Sequence, residues 1–239
     1  MQGTLGYSAA GAGVAIVPAT AFLVLFSSRV GAAAARRGPR GFMAAGPALM
    51  ALATLWFARV GAGSAAWVLD PGQVETLVPS VGYLVDFLPG LVVFGVGLVL
   101  MVAPLTTCLM QAVPARHAGV GSAVNNAISR VGPQFAGAMV FVLVTAAFYD
   151  GVARRVPAVD VHALRVRASL APLNRPAAAV LGVVQTAARE ASASAFRRAM
   201  AFSAVLLAAG AVISAVGIRN PVPQDSAAVA VAARAPGAR

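Results

Sequence analysis

Residues 101–134 read MVAPLTTCLMQAVPARHAGVGSAVNNAISRVGPQ. The stretch joins the end of one long apolar run to the start of another through a turn bearing Pro114, Arg116 and His117, and in the second run polar residues recur at every fourth position. Working outward, further apolar runs appear, and together they occupy 9–28, 42–62, 87–111, 118–148 and 199–218. A helix of roughly 20 residues at about 1.5 Å per residue crosses a hydrocarbon core about 30 Å thick. The chain of 239 residues is 59% hydrophobic and only 10% charged, which excludes an ordinary water-soluble domain. Inside a bilayer each segment must satisfy its own backbone, and these runs lack the polar–apolar alternation of barrel strands. The fold class is therefore an all-α integral membrane protein with about five transmembrane helices. The first run follows Gly6, Tyr7 and Ser8 rather than a basic stretch and a cleavage site, so it reads as a span and not as a signal peptide.

All 18 basic residues are arginine, against seven acids, for a net charge of +11. The arginines gather between the apolar runs, where cytoplasmic loops collect them, so the basic balance argues for a multi-pass membrane topology and against nucleic acid. Arg29, Arg36, Arg37 and Arg40 make the first connection basic and place it in the cytoplasm, as do Arg116 and His117 for the turn after the third span. Arg59 is outnumbered by Asp70, Glu75 and Asp86 in the second connection, which is external. The N-terminus is then external and the C-terminal tail, with Arg219, Arg234 and Arg239, internal. Residues 150–198 carry eight arginines against three acids on a connection that alternation places outside, and here alternation is followed because long connections translocate with less regard to charge. The resulting organisation is 1–149 with four spans, 150–198 as a long external loop with an amphipathic helix over 176–189, 199–219 as the fifth span, and 220–239 as a disordered cytoplasmic tail.

Enzyme constellations are missing from the sequence. His117 and His162 fall on opposite sides of the membrane and predict no metal site; HExxH, paired CxxC and GxSxG are not found, and with no lysine a phosphate-loop lysine is impossible. The reading is of a protein that is not an enzyme and uses no cofactor. The candidate pathway residues lie in the opening stretch: Thr106, Thr107 and Gln111 at the end of the third span, then Ser122, Asn125, Asn126, Arg130 and Gln134 in the fourth. Gly119, Ala123 and Ala127 form a small-residue face beside them, suited to close helix packing. Arg130 stands about 18 Å into the helix, near the middle of the membrane, where an arginine costs at least about 2.5 to 3.5 kcal/mol unless it faces a cavity or partner. A later helix start would instead let it snorkel to the inner surface. Asn125 and Asn126 serve equally for interhelical hydrogen bonds or substrate contact, and Pro133 predicts a kink of the kind that lines transporter cavities. No acid lies inside a span; the closest, Asp86, is at the outer end of the third.

The phrases GYSAAGAGVAIVP, GAAAARRGPR and VAPLTTCLMQAVPARHAGVGSAVNNAISRVG together resemble the C-terminal half of the fourteen-helix drug:proton antiporters of the major facilitator superfamily. The likeness runs over 2–148 and more weakly over 196–218. It implies export of small hydrophobic or cationic compounds by alternating access and proton antiport, around a site between two helical halves. It also implies that Gly31, Arg36, Gly38 and Arg40 belong to a cytoplasmic gating loop, although Ala35 stands where an acid usually precedes the loop arginine. Pro133 and Gln134 replace residues that are usually small or apolar. The resemblance implies a chain about twice this length, so these residues read as the C-terminal portion of an exporter whose partners are the bilayer, a drug-like substrate, and the missing N-terminal half or a partner membrane subunit. The alternative is a non-transporting remnant or accessory subunit packing against other membrane helices. The resemblance implies a bacterial inner membrane, and arginine in place of lysine with abundant alanine is typical of a high-GC genome.

Overall fold

The computed structural model describes residues 2–70, 72–112, 115–174, 176, 182–218 and 220. It is all-helical, with no strand among the described residues. The helices are α1 (Gln2–Leu5), α2 (Ala9–Arg37), α3 (Arg40–Phe57), α4 (Leu88–Ala112), α5 (Ala118–Arg155), α6 (Leu164–Ser169) and α7 (Gly182–Gly217). A π-helical turn, Tyr83–Phe87, leads into α4. Four helical stretches are long and apolar enough to cross a membrane: Ala9–Arg37, Tyr83–Leu105, Gly119–Arg155 and Gly182–Gly217.

The second predicted span, 42–62, is helical only over Arg40–Phe57, after which the chain turns at Ala58 and Arg59. Its 18 residues reach about 27 Å. Met43, Gly46, Pro47, Met50, Ala51, Ala53 and Thr54 are buried against neighbours, while Leu52 and Leu55 are exposed, so α3 is a short helix with an apolar outer face.

The principal neighbours run in a row, α2 beside α4, α4 beside α3, α3 beside α7 and α7 beside α5. Close approach at the centre depends on glycine. A Cβ built on Gly46 would lie 2.7 Å from the carbonyl oxygen of Gly97, and one on Gly97 2.7 Å from that of Gly46, so α3 and α4 touch backbone to backbone. Gly95, on another face of α4, meets Ala19 of α2 in the same manner.

The termini fix the directions. Ser8 caps α2, accepting from the Gly11 N–H at 3.0 Å while donating to the Leu69 carbonyl at 2.8 Å, which ties the start of α2 to the α3–α4 connection. At the opposite end Gly38 ends α2 with a φ of 85°, and the next helix starts two residues later. There the Arg40 N–H bonds the Asn220 side chain at 3.1 Å and the Arg40 Nε donates to the Ala215 carbonyl at 2.6 Å. The long helices therefore alternate in direction, and the described residues of both large connections, after α3 and after α5, lie at one end.

Residues 182–189, predicted as part of a surface helix leading into the fifth span, run without a break into that span in the 36 residues of α7. No glycine or proline interrupts 183–209, and alanine is the strongest helix former. The apolar stripe Val184, Ala188, Ala191, Ala195 and Ala199 packs on Val144, Ala147, Phe148 and Val152 of α5. Residues 177–181, and the predicted tail 220–239 beyond Asn220, lie outside the described residues.

Candidate functional site

Helices α5 and α7 have 38 and 36 residues, about 57 and 54 Å, so both outreach a hydrocarbon core. Their charged residues show where they leave it. Asp150, Arg154 and Arg155 of α5 stand beside Arg198 and Glu190 of α7, with Asp150 contacted by Arg154 and by Arg198 at 3.9 Å, and Arg155 Nε donating to Glu190 at 3.0 Å. From Ala199 to Gly217 α7 is uncharged. Gly151 packs against Ala191, with a Cβ-to-Cβ approach of 3.1 Å for an added side chain. Counting equal steps along the two antiparallel helices from that contact sets the uncharged part of α7 level with about residues 125 to 143 of α5.

Counted along the helix, Arg130 is about 8 Å from the residue level with the end of α7. Gln134, one turn further, stands close to the midplane.

The predicted stripe is laid out along an uncovered helix. Ser122, Asn126, Arg130 and Gln134 are all exposed, and Asn125 is half-buried. So are the other faces: Val120, Val124, Ile128, Val131 and Phe135 are each at least half exposed, and Gly119, Gly132 and Gly137 face open space. None of the five polar side chains hydrogen-bonds another described residue. The helix runs unbroken through Pro133. Thr106, Thr107 and Gln111 lie on the backbone of α4, their side chains outside the described set. The structure thus brings the α5 residues onto one helix that is largely uncovered over 119–139 among the described residues.

The four residues of the predicted loop gather at the α2–α3 turn. Gly31 lies within α2 facing open space, Arg36 is exposed in its last turn, and Gly38 and Arg40 hold Asn220 and Ala215 of the C-terminal end. Sequence reasoning missed that Arg40 neutralises the carbonyl end of α7, because the partner is 175 positions away.

Two features at the opposite end carried no sequence motif. An apolar cavity of about 340 Å³ opens between α2, α3, α4 and α7, walled by Ile16, Phe57, Phe87, Leu91, Phe196 and Met200 with Leu173 at its rim. Leu173 has a φ of 59° and its N–H bonds the buried Ser192 hydroxyl at 3.3 Å, so a strained residue is held in place at the cavity. Nearby, Ser64 donates to Asp86, and the Tyr83 hydroxyl donates to the Ala15 carbonyl at 3.0 Å. The buried Tyr7 hydroxyl makes no hydrogen bond of ordinary geometry, and burial, with the Asp86 and Tyr83 charges adding and the Ser80 hydroxyl opposing, raises its phenol above the usual range. Tyr83, Phe87 and Leu91, recurring at every fourth position, were the available signal. Among the described residues no three potential metal ligands come together.

No protein-family model matches the chain, and no curated protein is detectably similar to it.

Proposed function

We propose that the chain is part of a transmembrane exporter of small hydrophobic or cationic compounds, working by alternating access in the inner membrane of a bacterium, and that a second helical bundle completes it. The observation carrying this reading is the uncovered first half of α5. Arg130, in the inner half of the span, has the reach to snorkel to the inner surface. Gln134 does not, and a polar stripe of Ser122, Asn126, Arg130 and Gln134 facing lipid would leave buried donors and acceptors unsatisfied. Covered by another bundle, the same stripe lines a polar path.

The resemblance to the fourteen-helix drug:proton antiporters supplies the direction and the coupling ion of this proposal, with the partner bundle standing where the N-terminal half would be. The spans of this chain hold no acid beyond Asp86 at their outer end, so the proton-binding carboxylate belongs to the partner. The apolar cavity, with the rings of Phe57, Phe87 and Phe196 and no charged wall, suits a hydrophobic compound or a soft organic cation.

The test is ethidium accumulation in the native host carrying Arg130→Ala on its chromosome. The variant is expected to accumulate the dye like a strain lacking the gene, with the protein present in the membrane at its normal level. Efflux indistinguishable from wild type would overturn the reading.

A further inference from the structure

A second cavity, of about 540 Å³, lies on the side of α5 away from the row of helices, beneath the connection that follows it. Its lower wall is Phe141, Val142 and Ala146, and the first two are 67% and 65% exposed. Its upper wall is Tyr149, Asp150, His162 and Arg167. By the level count from α7, the hydrocarbon ends near residue 143 of α5, so the cavity straddles the boundary, apolar below it and polar above.

The upper wall is ordered by its own contacts. The Tyr149 hydroxyl donates to the Leu170 carbonyl at 3.0 Å, and the Arg167 guanidinium lies 5.0 Å over the Tyr149 ring while its Nε donates to the Val161 carbonyl at 3.0 Å. Its two Nη groups have no partner among the described residues. The exposed His162 ring stands beside it, its backbone N–H held by Asp160 at 2.9 Å. Asp150, the one acid on the wall, is already engaged by Arg154 and Arg198. In the wall between, Thr145 Oγ1 is buried without a hydrogen bond.

We infer that this cavity binds an anionic glycerophospholipid, its acyl chain along Phe141, Val142 and Ala146 and its phosphate at Arg167 and His162. A guanidinium held by stacking and by one ring-side hydrogen bond presents its remaining N–H groups as a fork matched to phosphate oxygens. Tyrosine and arginine at the membrane boundary are in their preferred layer. The inference needs only that the apolar helices lie in a bilayer and is independent of transport.

The experiment is thermal melting of the purified full chain in detergent, titrated with phosphatidylglycerol, phosphatidylcholine or inorganic phosphate. Phosphatidylglycerol is expected to stabilise at about fivefold lower concentration than phosphatidylcholine, the scale of one arginine at an anionic surface. Arg167→Gln is expected to abolish that preference and Arg167→Lys to restore part of it. Should Arg167→Gln melt early without lipid, His162→Ala, which is exposed, is expected to weaken the preference in a fold left intact. Equal response to the two lipids, or a preference surviving in both Arg167→Gln and His162→Ala, would overturn the proposal. So would inorganic phosphate reproducing the whole effect, which would mark a free-phosphate site.

Discussion

Gln134 and Arg130 stand one turn apart on α5, and their different depths decide what each implies. An arginine near the inner boundary has a route to water along its own side chain, whereas a glutamine near the midplane must find its partners in protein or trapped water. The four-residue repeat that aligns them was legible in the sequence, since side chains at i and i+4 share a helical face. The depth was not, because composition shows where charges stop but not where a helix that overshoots the membrane sits within it. Arg40 teaches the same lesson from the other side. Its spacing in the arginine-rich turn marked it for the loop, while its bond to the Ala215 carbonyl follows from the return of α7 to the same end. Arg40→Ala is expected to lower stability by about 1 kcal/mol through the lost helix-end hydrogen bond, read as an earlier thermal midpoint in detergent. Arg36→Ala, exposed in the same turn and without a bond to a described residue, is expected to leave the midpoint unchanged. Equal effects of the two would remove the assigned role of Arg40.

Helices α5 and α7 show what hydropathy measures and what it misses. The apolar run 118–148 marks the start of α5 correctly, yet the helix continues to Arg155, because the α-helix outlasts the apolar surface wherever another helix replaces lipid as its partner. The same holds for α7, whose charged first half packs on α5 through alanines spaced three and four apart. At α3 the error runs the other way, since the apolar run continues past the turn at Ala58 and Arg59 where the helix ends. The contact of Gly46 with Gly97 is the tightest test of that arrangement. Gly97→Val forces two backbones apart and is expected to cost about 2 to 3 kcal/mol, measured by thermal melting. Gly137→Ala, facing open space on α5, is the control and is expected to hold or raise stability. A tolerated Gly97→Val would show that α3 and α4 sit further apart than described.

As a whole the molecule is a row of helices with α5 at one edge, held by α7 over its outer part and, among the described residues, largely uncovered over 119–139. The all-helical class was readable from composition and run length. The open edge was not, because a sequence pattern gives each helix a face but does not say which faces this chain itself covers. The central claim is that the uncovered stripe faces a polar path beside a second bundle, and it makes adjacent positions on one helix behave differently. The direct measurement is labelling of single cysteines by a membrane-impermeant thiol reagent in native membranes, in a Cys108→Ser background, at Ser122, Asn126 and Gln134 and, for comparison, at Val124, Ile128 and Phe135. Labelling confined to the first three positions is the predicted result. Uniform labelling of all six, or none at Ser122, Asn126 and Gln134, would contradict it.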